Sequence, residues 1–458
     1  MQTRRDHVQA YQFAVGRLAT ALVSGDPGRG DSPTRRASLG TFFGVGIVLL
    51  LCVGFGVYGL IAPAPDHSWR ASGAYIVEKE TGNRYLYVGG VLRPVRNYAS
   101  VLLLAGHATA HTVSQQDLSG IPHGTAVGIP GAPDEVPAPA EVLGNTWTRC
   151  LRPELNGGQS LDLSPAGHTT AVPAGRQALL AGPDGTRFLL WKGTKYPVPG
   201  QATLLALGLD TDRQTAAPAD WLAAVPTGRA LTAIRPAGLG EPAGKVAGHT
   251  VTVGQLFTTG TAAGGAADTS SDPTGSAGHY YVMTRDGVAR TTATESALLA
   301  AQPHIPAPLQ VPASALAAVK IADDPAMAGA LPDVAGAPAV AGTGQAVCLA
   351  QQVDGRTLDS QVVLETGAAA TGSRAVVVPP GHGVVAASRE EVLKKATHPR
   401  TFLITDDGTA YRLANDDTTA ALGLSGLVSV LPDDLLALLP TGPELTKPGT
   451  SGTGGSGV

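Results

Sequence analysis

Three cysteines are the residues of this chain with the most distinctive chemistry: Cys52, Cys150 and Cys348. A pair of cysteines forms a disulfide in an oxidising compartment, and otherwise it stays as two free thiols or binds a metal ion. Neither Cys150 nor Cys348 lies in a CxxC pair or beside a histidine, which argues against the metal interpretation. The choice between a disulfide and free thiols depends on the side of a membrane on which the two residues lie.

Two other groups match metal sites only in part. His107 and His111 have the i, i+4 spacing of a helical metal pair, but the glutamate of HExxH is absent. The pairs Asp406–Asp407 and Asp416–Asp417 lack the DxDxDG order of a calcium loop, and hairpin-turn and helix-cap positions explain them better. The sequence therefore predicts no metal site.

Motifs for nucleotide binding and hydrolysis are also incomplete. The letters GTGGSG at residues 452–457 fit GxGxxG, but no strand precedes them and no helix follows. Ser425 lacks the second glycine of the GxSxG hydrolase turn, and the sequence has no GxxxxGKS/T loop. We predict no catalytic residue and no cofactor.

The chain has four tryptophans, Trp69, Trp147, Trp191 and Trp221. We expect them to be core residues, and the alternative for one of them is a platform on which a sugar ring stacks.

The one long apolar run, TFFGVGIVLLLCVGFGVYGLIA at Thr41–Ala62, contains no charged residue. About twenty helical residues span the roughly 30 Å hydrocarbon layer of a bilayer, so the run predicts one transmembrane helix. A signal peptide is the alternative, but its apolar core is shorter and lies nearer the N-terminus. Pro63, Pro65 and Asp66 end the helix, and Cys52 inside it is expected to be a small apolar residue.

The charges that flank this helix predict its orientation. Arginines are frequent before it, whereas Asp66 is the first charge after it, so the positive-inside rule places residues 1–40 in the cytoplasm. Residues 63–445 are then extracytoplasmic. Because Cys150 and Cys348 lie in that oxidising compartment, we predict a disulfide between them, which would join distant parts of the chain into one central body.

Composition excludes several classes of protein. The net charge is −4 over 458 residues and no basic patch follows the apolar run, so no nucleic-acid partner is expected. With 59 glycines, 35 prolines and 5% aromatic residues, the chain is expected to have many turns and small cores rather than a helical bundle. Its 43% of hydrophobic residues excludes a chain that is disordered throughout.

Within residues 1–40, apolar residues recur every three or four positions, which predicts an amphipathic helix over Asp6–Val23. These residues are Val8, Tyr11, Val15, Leu18 and Leu22. A segment of 40 residues has no hydrophobic core of its own against which these apolar residues could pack. The helix is therefore expected to dock on a partner or on the membrane surface, unless it is only marginally stable.

Four stretches after the apolar run share one plan. Each has an aromatic-led apolar strand, a turn, a second strand and a short apolar helix, followed by a second short helix. The turns are Gly89-Gly90, Lys192-Gly193, Asp286-Gly287 and Asp407-Gly408. The spacing is too irregular for a tight solenoid, so we predict separate small α/β repeats. They lie near residues 75–130, 183–228, 278–320 and 400–440.

Short valine-rich segments between the repeats predict a central β domain. It is drawn from residues 140–182, 229–257 and 340–390 and contains both extracytoplasmic cysteines. Residues 130–141 and 258–278 predict flexible connections, and residues 446–458 a disordered tail. The predicted fold class is α+β, with one membrane helix and a β-rich central extracytoplasmic domain that carries about four repeats.

Several of these segments resemble a known family. The start YQFAVGRLATALVSGDP, the single apolar run and the block SWRASGAYIVEKETGNRYLYVGGVLRPVRNYASVLLLAG are very similar to EccB. EccB is a core membrane component of the type VII (ESX) secretion system of actinobacteria. The likeness continues through GIPHGTAVGIPGAP, WTRC, AVCL and VVVPPGHGVVAAS, so it covers nearly the whole chain.

The resemblance implies a non-catalytic scaffold whose repeats surround a β domain clamped by the bridge between Cys150 and Cys348. It implies assembly with EccC, an FtsK/SpoIIIE-like ATPase, and with EccD, EccE and further copies of this chain, with the mycosin protease on the outer side. The N-terminal helix would dock on cytoplasmic parts of EccC or EccD. The repeats have been likened to a cell-wall-binding fold, which implies a contact with peptidoglycan.

The sequence thus predicts a structural, single-pass membrane component of a type VII secretion complex, whose exterior domain forms part of the periplasmic assembly. The alternative is a membrane-anchored protein that binds peptidoglycan. Some EccB proteins have been described as ATPases, but the missing phosphate loop and the extracytoplasmic position of most of the chain argue against that activity here.

Overall fold

The computed structural model describes residues 4–25, 34–61, 67–106, 109–259, 279–325, 327, 329–340, 342 and 344–447. The chain divides into two units, Met1–Ala71 and Ser72–Val458. Most of the predicted connection at 258–278, nearly all of the predicted tail and His107 lie outside the described residues.

Within its described residues, the first unit contains the α-helices α1 (Arg4–Ser24) and α2 (Thr34–Ile61) and a 3-10 turn at Ser68–Arg70. Helix α1 covers the predicted amphipathic segment, and its apolar side chains are exposed. Helix α2 begins at Thr34, before the apolar run. Within α2, Gly40–Gly59 is long and apolar enough to span a bilayer, and none of that stretch is buried. The prediction of one apolar N-terminal helix is confirmed.

The second unit contains four repeats, a central sheet and a separate hairpin. Repeat 1 contains β1 (Ala74–Glu78), β2 (Arg84–Val88), β3 (Val91–Pro94), α3 (Tyr98–Ala105), β4 (Ala110–Val113) and α4 (Gln115–Leu118). A 3-10 turn at Pro139–Glu141 precedes the first part of the central sheet, which contains β5 (Thr146–Leu151), β6 (Gln159–Asp162) and β7 (Thr169–Ala171). Repeat 2 contains β8 (Ala178–Ala181), β9 (Arg187–Trp191), β10 (Thr194–Val198), α5 (Gln201–Leu207), β11 (Gln214–Ala216) and α6 (Ala219–Ala223).

After repeat 2, the chain forms the hairpin, repeat 3, the second part of the central sheet and repeat 4. The hairpin contains β12 (Pro242–Val246) and β13 (His249–Thr252). Repeat 3 contains β14 (Leu256–Thr259), β15 (His279–Thr284), β16 (Gly287–Thr291), α7 (Ala293–Ala300), β17 (Leu309–Gln310) and α8 (Ala313–Ala317). The second part of the central sheet contains β18 (Ala346–Asp354), β19 (Thr357–Glu365), α9 (Ala368–Thr371) and β20 (Val376–Val377). Repeat 4 contains β21 (Val384–Ser388), α10 (Arg389–Leu393), β22 (Thr401–Ile404), β23 (Ala410–Leu413), α11 (Asp416–Ala421), β24 (Val428–Leu431) and α12 (Asp433–Leu436).

All four repeats have the same topology. The first three strands form an antiparallel meander, and a helix then returns the chain so that the fourth strand lies parallel to the first. After the second short helix, the chain forms a parallel bridge to the third strand. These bridges are Leu92–His123, Lys195–Thr227, Val288–Ile321 and Ala410–Thr441. The predicted α+β class with about four small repeats is confirmed.

Glycine supplies the hairpin turns that the sequence indicated. In repeat 1 both turn residues have positive φ, with Gly89 at 59° and Gly90 at 83°. Repeat 2 uses Lys192 at 47° and Gly193 at 78°. Two-residue turns with positive φ at both positions match the right-handed twist of the flanking strands, which fixes the register of each hairpin.

The first strand of three repeats lies outside the ranges predicted for those repeats. Strands β8 and β21 and the first half of β14 fall in segments that the sequence assigned to the central domain. These strands are only four or five residues long, and such short runs do not indicate which sheet they join. Among the described residues, β12 pairs only with β13. In repeat 4 helix α10 separates the first strand from the second, and in repeat 3 residues 260–278 do so. The central sheet therefore draws on the 140–182 and 340–390 segments but not on 229–257.

The central sheet has six strands in the order β20-β6-β5-β18-β19-β7. Strand β5 is almost wholly buried, and alternate side chains point to opposite faces. On one face, Trp147 packs in a cluster with repeat 4 and Leu151 packs in a cluster with repeat 2. On the other face, Cys150 packs against Ala369 and Ala370 of α9. The central sheet is thus the common support of repeats 2 and 4.

Repeats 1 and 3 attach to repeats 4 and 2, respectively, through helices. Leu103 of α3 shares a cluster with Ala421 of α11, and Leu204 of α5 shares one with Leu298 of α7. Repeat 1 therefore packs on repeat 4, and repeat 3 packs on repeat 2. The segment 130–141 was expected to be a flexible connection. Within it Ala132 is buried in the cluster between repeats 1 and 4, because apolar residues are interspersed among its prolines.

Candidate functional site

The residues with the most unusual environments lie next to each other on β5. Arg149 and Cys150 are both buried, and they point to opposite faces of the central sheet because they are consecutive in a strand. Each is the centre of a group of polar or sulfur atoms that joins distant parts of the chain. We describe these as the arginine junction and the disulfide core.

The arginine junction joins the central sheet to two repeats. The side chain of Arg149 is 1% exposed. Its Nη1 donates to Asp434 Oδ2 of α12 at 3.0 Å, and its Nη2 donates to Asp220 Oδ2 of α6. Nε and Nη2 also donate to Gln159 Oε1 of β6, at 3.2 and 3.1 Å. One guanidinium group therefore bonds to repeat 2, to repeat 4 and to its own sheet.

The two aspartates occupy equivalent positions in repeats 2 and 4. Each lies two residues after the proline at the N-cap of the second short helix, which is Pro218 for α6 and Pro432 for α12. At the first turn of a helix, the unpaired backbone N–H groups favour a negative charge. The aligned positions in repeats 1 and 3 hold a glutamine and a serine, neither of which carries a charge. Only these two repeats present a carboxylate there.

The surroundings of Asp220 keep it ionised. Burial alone raises the pKa of its carboxyl, but the hydrogen bond from Gln159 Nε2 and the charge of Arg149 outweigh this effect, and the pKa lies below its ordinary value. Trp221, the next residue, donates its indole N–H to the backbone oxygen of Arg149 at 2.9 Å. Helix α6 is therefore attached to β5 through both the side chain and the main chain of Arg149.

The disulfide core lies on the opposite face. Cys150 on β5 and Cys348 on β18 are directly opposite in the antiparallel register, and their Sγ atoms are 2.05 Å apart. Both cysteines are fully buried, and 198 residues separate them in the sequence. Cys52 is a free cysteine on α2.

Glu365, the last residue of β19, is a buried carboxyl group beside the disulfide. Its exposed fraction is 0%, and its Oε2 is 3.3 Å from Cys150 Sγ and accepts a hydrogen bond from Thr148 Oγ1. Its Oε1 has no hydrogen-bond partner among the described residues. Burial raises the pKa of Glu365 to about 8; the Thr148 hydrogen bond opposes the rise and neighbouring Asp162 adds to it. The carboxyl group therefore stays protonated at neutral pH.

Among the described residues, one group of three side chains has the atoms and spacing of a metal site. It consists of Cys150, Cys348 and Glu365, whose candidate atoms lie within 4.8 Å of one another. The two sulfur atoms are bonded to each other, so the group offers no thiolate to a metal ion.

The residues that the sequence singled out are dispersed. Asp407 accepts hydrogen bonds from Thr405 and Thr409 in the β22–β23 turn, and Asp416 and Asp417 lie in the first turn of α11. His111 lies on β4. The four tryptophans are at most 6% exposed, so none of them presents a ring face to a sugar. Neither Arg149 nor Glu365 was predicted. For Arg149 the one signal is a charged residue inside a strand that is otherwise buried. Glu365 ends a strand whose first half is largely exposed, so it gives no such signal.

We expect Arg149→Met to lower the free energy of unfolding of the extracytoplasmic unit by about 1.5–3 kcal/mol. Hydrogen bonds to charged groups contribute at this level, and the two aspartates regain water because they are only partly buried. Chemical denaturation followed by circular dichroism measures the change. Arg84→Met is the matched control, because Arg84 pairs with Asp134 at the surface and such pairs contribute about 0–1 kcal/mol. Equal losses in the two variants would contradict the role of the junction.

Glu365 also predicts a pH dependence of stability. In the unfolded chain the carboxyl has its ordinary pKa of 4.5, whereas in the folded protein the pKa is about 8. Between these pH values the folded state holds a proton that the unfolded state has released, so this group destabilises the fold progressively as the pH rises. The slope approaches about 1.4 kcal/mol per pH unit. Urea unfolding at pH 5, 6.5 and 8 should show this loss in the unsubstituted chain and a flatter profile in Glu365→Gln. Parallel profiles would show that Glu365 is ionised in the fold.

Comparisons with known proteins point to one family. The family model described as "Type VII secretion system ESX-1, transport TM domain B" matches residues 1–451. The ESX-1 secretion system ATPase EccB1 of Mycolicibacterium smegmatis is 25% identical to this chain, over 97% of this chain and 94% of that protein. The ESX-5 secretion system ATPase EccB5 of Mycobacterium marinum is 29% identical, over 46% of this chain and 44% of that protein.

Two solved structures are similar over most of their length. A chain of an intact ESX-5 inner membrane complex is 22% identical, with a TM-score of 0.49 over 98% of this chain and 94% of that chain. A chain from an EccB3 dimer of the ESX-3 core complex is 23% identical, with a TM-score of 0.47 over 82% of this chain and 98% of that chain.

Proposed function

Because the chain belongs to the EccB family of type VII secretion proteins, we propose that it is a structural membrane component of such a secretion complex. The observation that carries the proposal is the extent of the family match. It runs from residue 1 to residue 451 and so includes both the apolar helix and all four repeats. The whole architecture, rather than one domain of it, is that of the family.

The proposed arrangement in the membrane follows from α2 and the charges around it. Gly40–Gly59 would span the bilayer, with the arginine-rich residues 1–40 in the cytoplasm and the repeats outside. The exterior domain would then form part of the periplasmic assembly of the complex. A disulfide in that domain is consistent with an oxidising compartment.

We propose a structural rather than an enzymatic role. The relatives EccB1 and EccB5 carry the word ATPase in their names, but this sequence lacks the phosphate-binding loop that such chemistry commonly uses. The polar groups with unusual environments in the described residues hold elements of the fold together. Arg149 donates hydrogen bonds to three side chains of the fold, and Glu365 lies beside a closed disulfide.

The proposed partners are the other membrane components EccC, EccD and EccE, further copies of this chain, and the mycosin protease on the outer side. Helix α1 supports a cytoplasmic contact, because its apolar residues Val8, Tyr11, Val15, Leu18 and Leu22 are between 47% and 82% exposed. Such a stripe is stabilised by burial against EccC or EccD. Peptidoglycan is a further proposed contact of the repeats, although the buried tryptophans supply no platform for it.

The test is to solubilise the tagged full-length protein from its native membrane in mild detergent and identify the proteins that co-migrate with it on a native gel. We expect a very large band that contains an FtsK-like ATPase and multi-span membrane proteins. Replacing Leu18 and Leu22 on α1 by serine should release the cytoplasmic partner without unfolding the exterior domain. A lone monomer or dimer that is reproducibly free of other secretion components would favour the alternative, a membrane-anchored wall-binding protein.

We also propose that the Cys150–Cys348 bridge clamps the central sheet. It joins β5 to β18, which come from the two separate segments of that sheet. Cys150→Ala/Cys348→Ala should lower the free energy of unfolding by about 2–5 kcal/mol, because the bridge restricts the unfolded chain. Thermal and urea unfolding of the full chain in detergent measure this change. Cys52→Ala is the control and should leave stability unchanged. An unchanged unfolding midpoint in the double variant would refute the clamp.

A further inference from the structure

The two sulfur atoms of the disulfide face different acceptors. Cys150 Sγ is 3.3 Å from Glu365 Oε2, whereas Cys348 Sγ is 3.4 Å from the backbone oxygen of Ala346. If the bond is open, each thiol can donate its S–H to the acceptor that it faces. A carboxylate can take up a proton at neutral pH, and a peptide oxygen cannot. Cys150 is therefore the cysteine whose neighbour can convert it to the thiolate that attacks a disulfide.

We propose that Glu365 is the internal general base for closure of the Cys150–Cys348 disulfide. It accepts the proton of the Cys150 thiol while that sulfur atom attacks. This role concerns the maturation of the chain itself and does not depend on the proposed secretion function.

The reaction needs an external disulfide, of the class carried by thiol oxidoreductases or by oxidised glutathione. Because Cys348 is fully buried in the folded sheet, it exchanges with this disulfide before β5, β18 and β19 come together. The exchange gives a mixed disulfide on Cys348 and releases one external thiol. The Cys150 sulfur then bonds to the Cys348 sulfur, and the bond between Cys348 and the external sulfur breaks. Its electron pair leaves on the external thiolate, which takes a proton from water, and the Cys150 proton moves to Glu365. Two protein thiols are oxidised, and the external disulfide is reduced to two thiols.

Burial gives Glu365 the proton affinity that the step requires. Before β5, β18 and β19 come together, the carboxylate is hydrated and has an ordinary pKa, so it is ionised at neutral pH. Assembly of the sheet removes its water, and burial raises its pKa to about 8, so its affinity for a proton rises while the strands come together. The carboxylate therefore takes up the Cys150 proton as it loses its water, while the bond forms. The product is the buried neutral acid that lies beside the closed disulfide.

The surrounding contacts position the carboxyl group for this transfer. Thr148 donates its hydroxyl proton to Oε2, the same oxygen that faces Cys150. Cys150, Thr148 and Glu365 are each fully buried, so bulk water does not reach the sulfur atom as a competing base. Asp162 on β6, which is also buried, raises the pKa of Glu365 further.

The experiment measures the rate of closure as a function of pH. Full-length protein carrying Cys52→Ala, so that two cysteines remain, is reduced and unfolded, then diluted into detergent buffer with oxidised glutathione at pH 6.0–9.0. Closure is timed by the loss of reaction with a polyethylene-glycol maleimide on a gel. Glu365→Gln is compared with Asp359→Asn, which removes an exposed carboxylate from the same strand and the same face.

At pH 6.5 we expect Glu365→Gln to close about tenfold more slowly or worse than the parent chain, a typical loss when a general base is removed. The difference should vanish near pH 9, where the thiol ionises unaided, and Asp359→Asn should match the parent throughout. Equal rates for Glu365→Gln and the parent at pH 6.5, or one constant ratio at every pH, would overturn the proposal. Glu365→Asp keeps a carboxyl group, so it separates loss of the base from a folding fault. It should recover part of the rate and the pH profile of the parent, and a rate as low as that of Glu365→Gln would also overturn the proposal.

Discussion

The pairing of Arg149 with two aspartates from different repeats is the interaction on which the arrangement of the exterior domain depends. A guanidinium group cannot lose its charge, so it is stable in a buried position only when carboxylates and other acceptors reach it. Here those acceptors come from α6, from α12 and from the central sheet. Repeats 2 and 4 are therefore held against one strand in one relative position, and a displacement of either removes one of the two carboxylates that balance the charge. The apolar clusters around Trp147 and Leu151 bury apolar surface on each side of Arg149. The hydrogen bonds of Arg149, which lies between them, fix the orientation of the two repeats.

The order of the repeats in space differs from their order in the chain. Repeat 1 packs on repeat 4, repeat 4 on the central sheet, the sheet on repeat 2, and repeat 2 on repeat 3. The central sheet is itself built from two segments, β5–β7 and β18–β20, between which repeats 2 and 3 are inserted. Long sequence separations follow directly from this nesting. The two cysteines are 198 residues apart and Arg149 is 285 residues from Asp434, although both pairs are in contact.

Local features were predictable from the sequence, and long-range ones were not. Glycine-containing turns and aromatic-led strands identified four hairpins and their helices, because turn geometry depends on a few adjacent residues. The first strands of repeats 2 and 4 and half of that of repeat 3 were assigned to the central domain instead, since a short strand does not indicate which sheet it joins. Arg149 carries no local sign that its partners lie 71 and 285 residues away. Cys150 and Cys348 could be paired because cysteine is rare in this chain, whereas Glu365 is one of many carboxylates.

The nesting also has a consequence for synthesis. Chains are made from the N-terminus at about 5–20 residues per second, so about 300 residues take roughly 15–60 s. Helix α3, at Tyr98–Ala105, packs against α11, which begins only at Asp416. For that time the face of α3 that carries Leu103 lacks its partners in repeat 4, and exposed apolar surfaces are prone to aggregation. The last repeat to be made thus covers the first, and a chain released early would expose the same surface permanently.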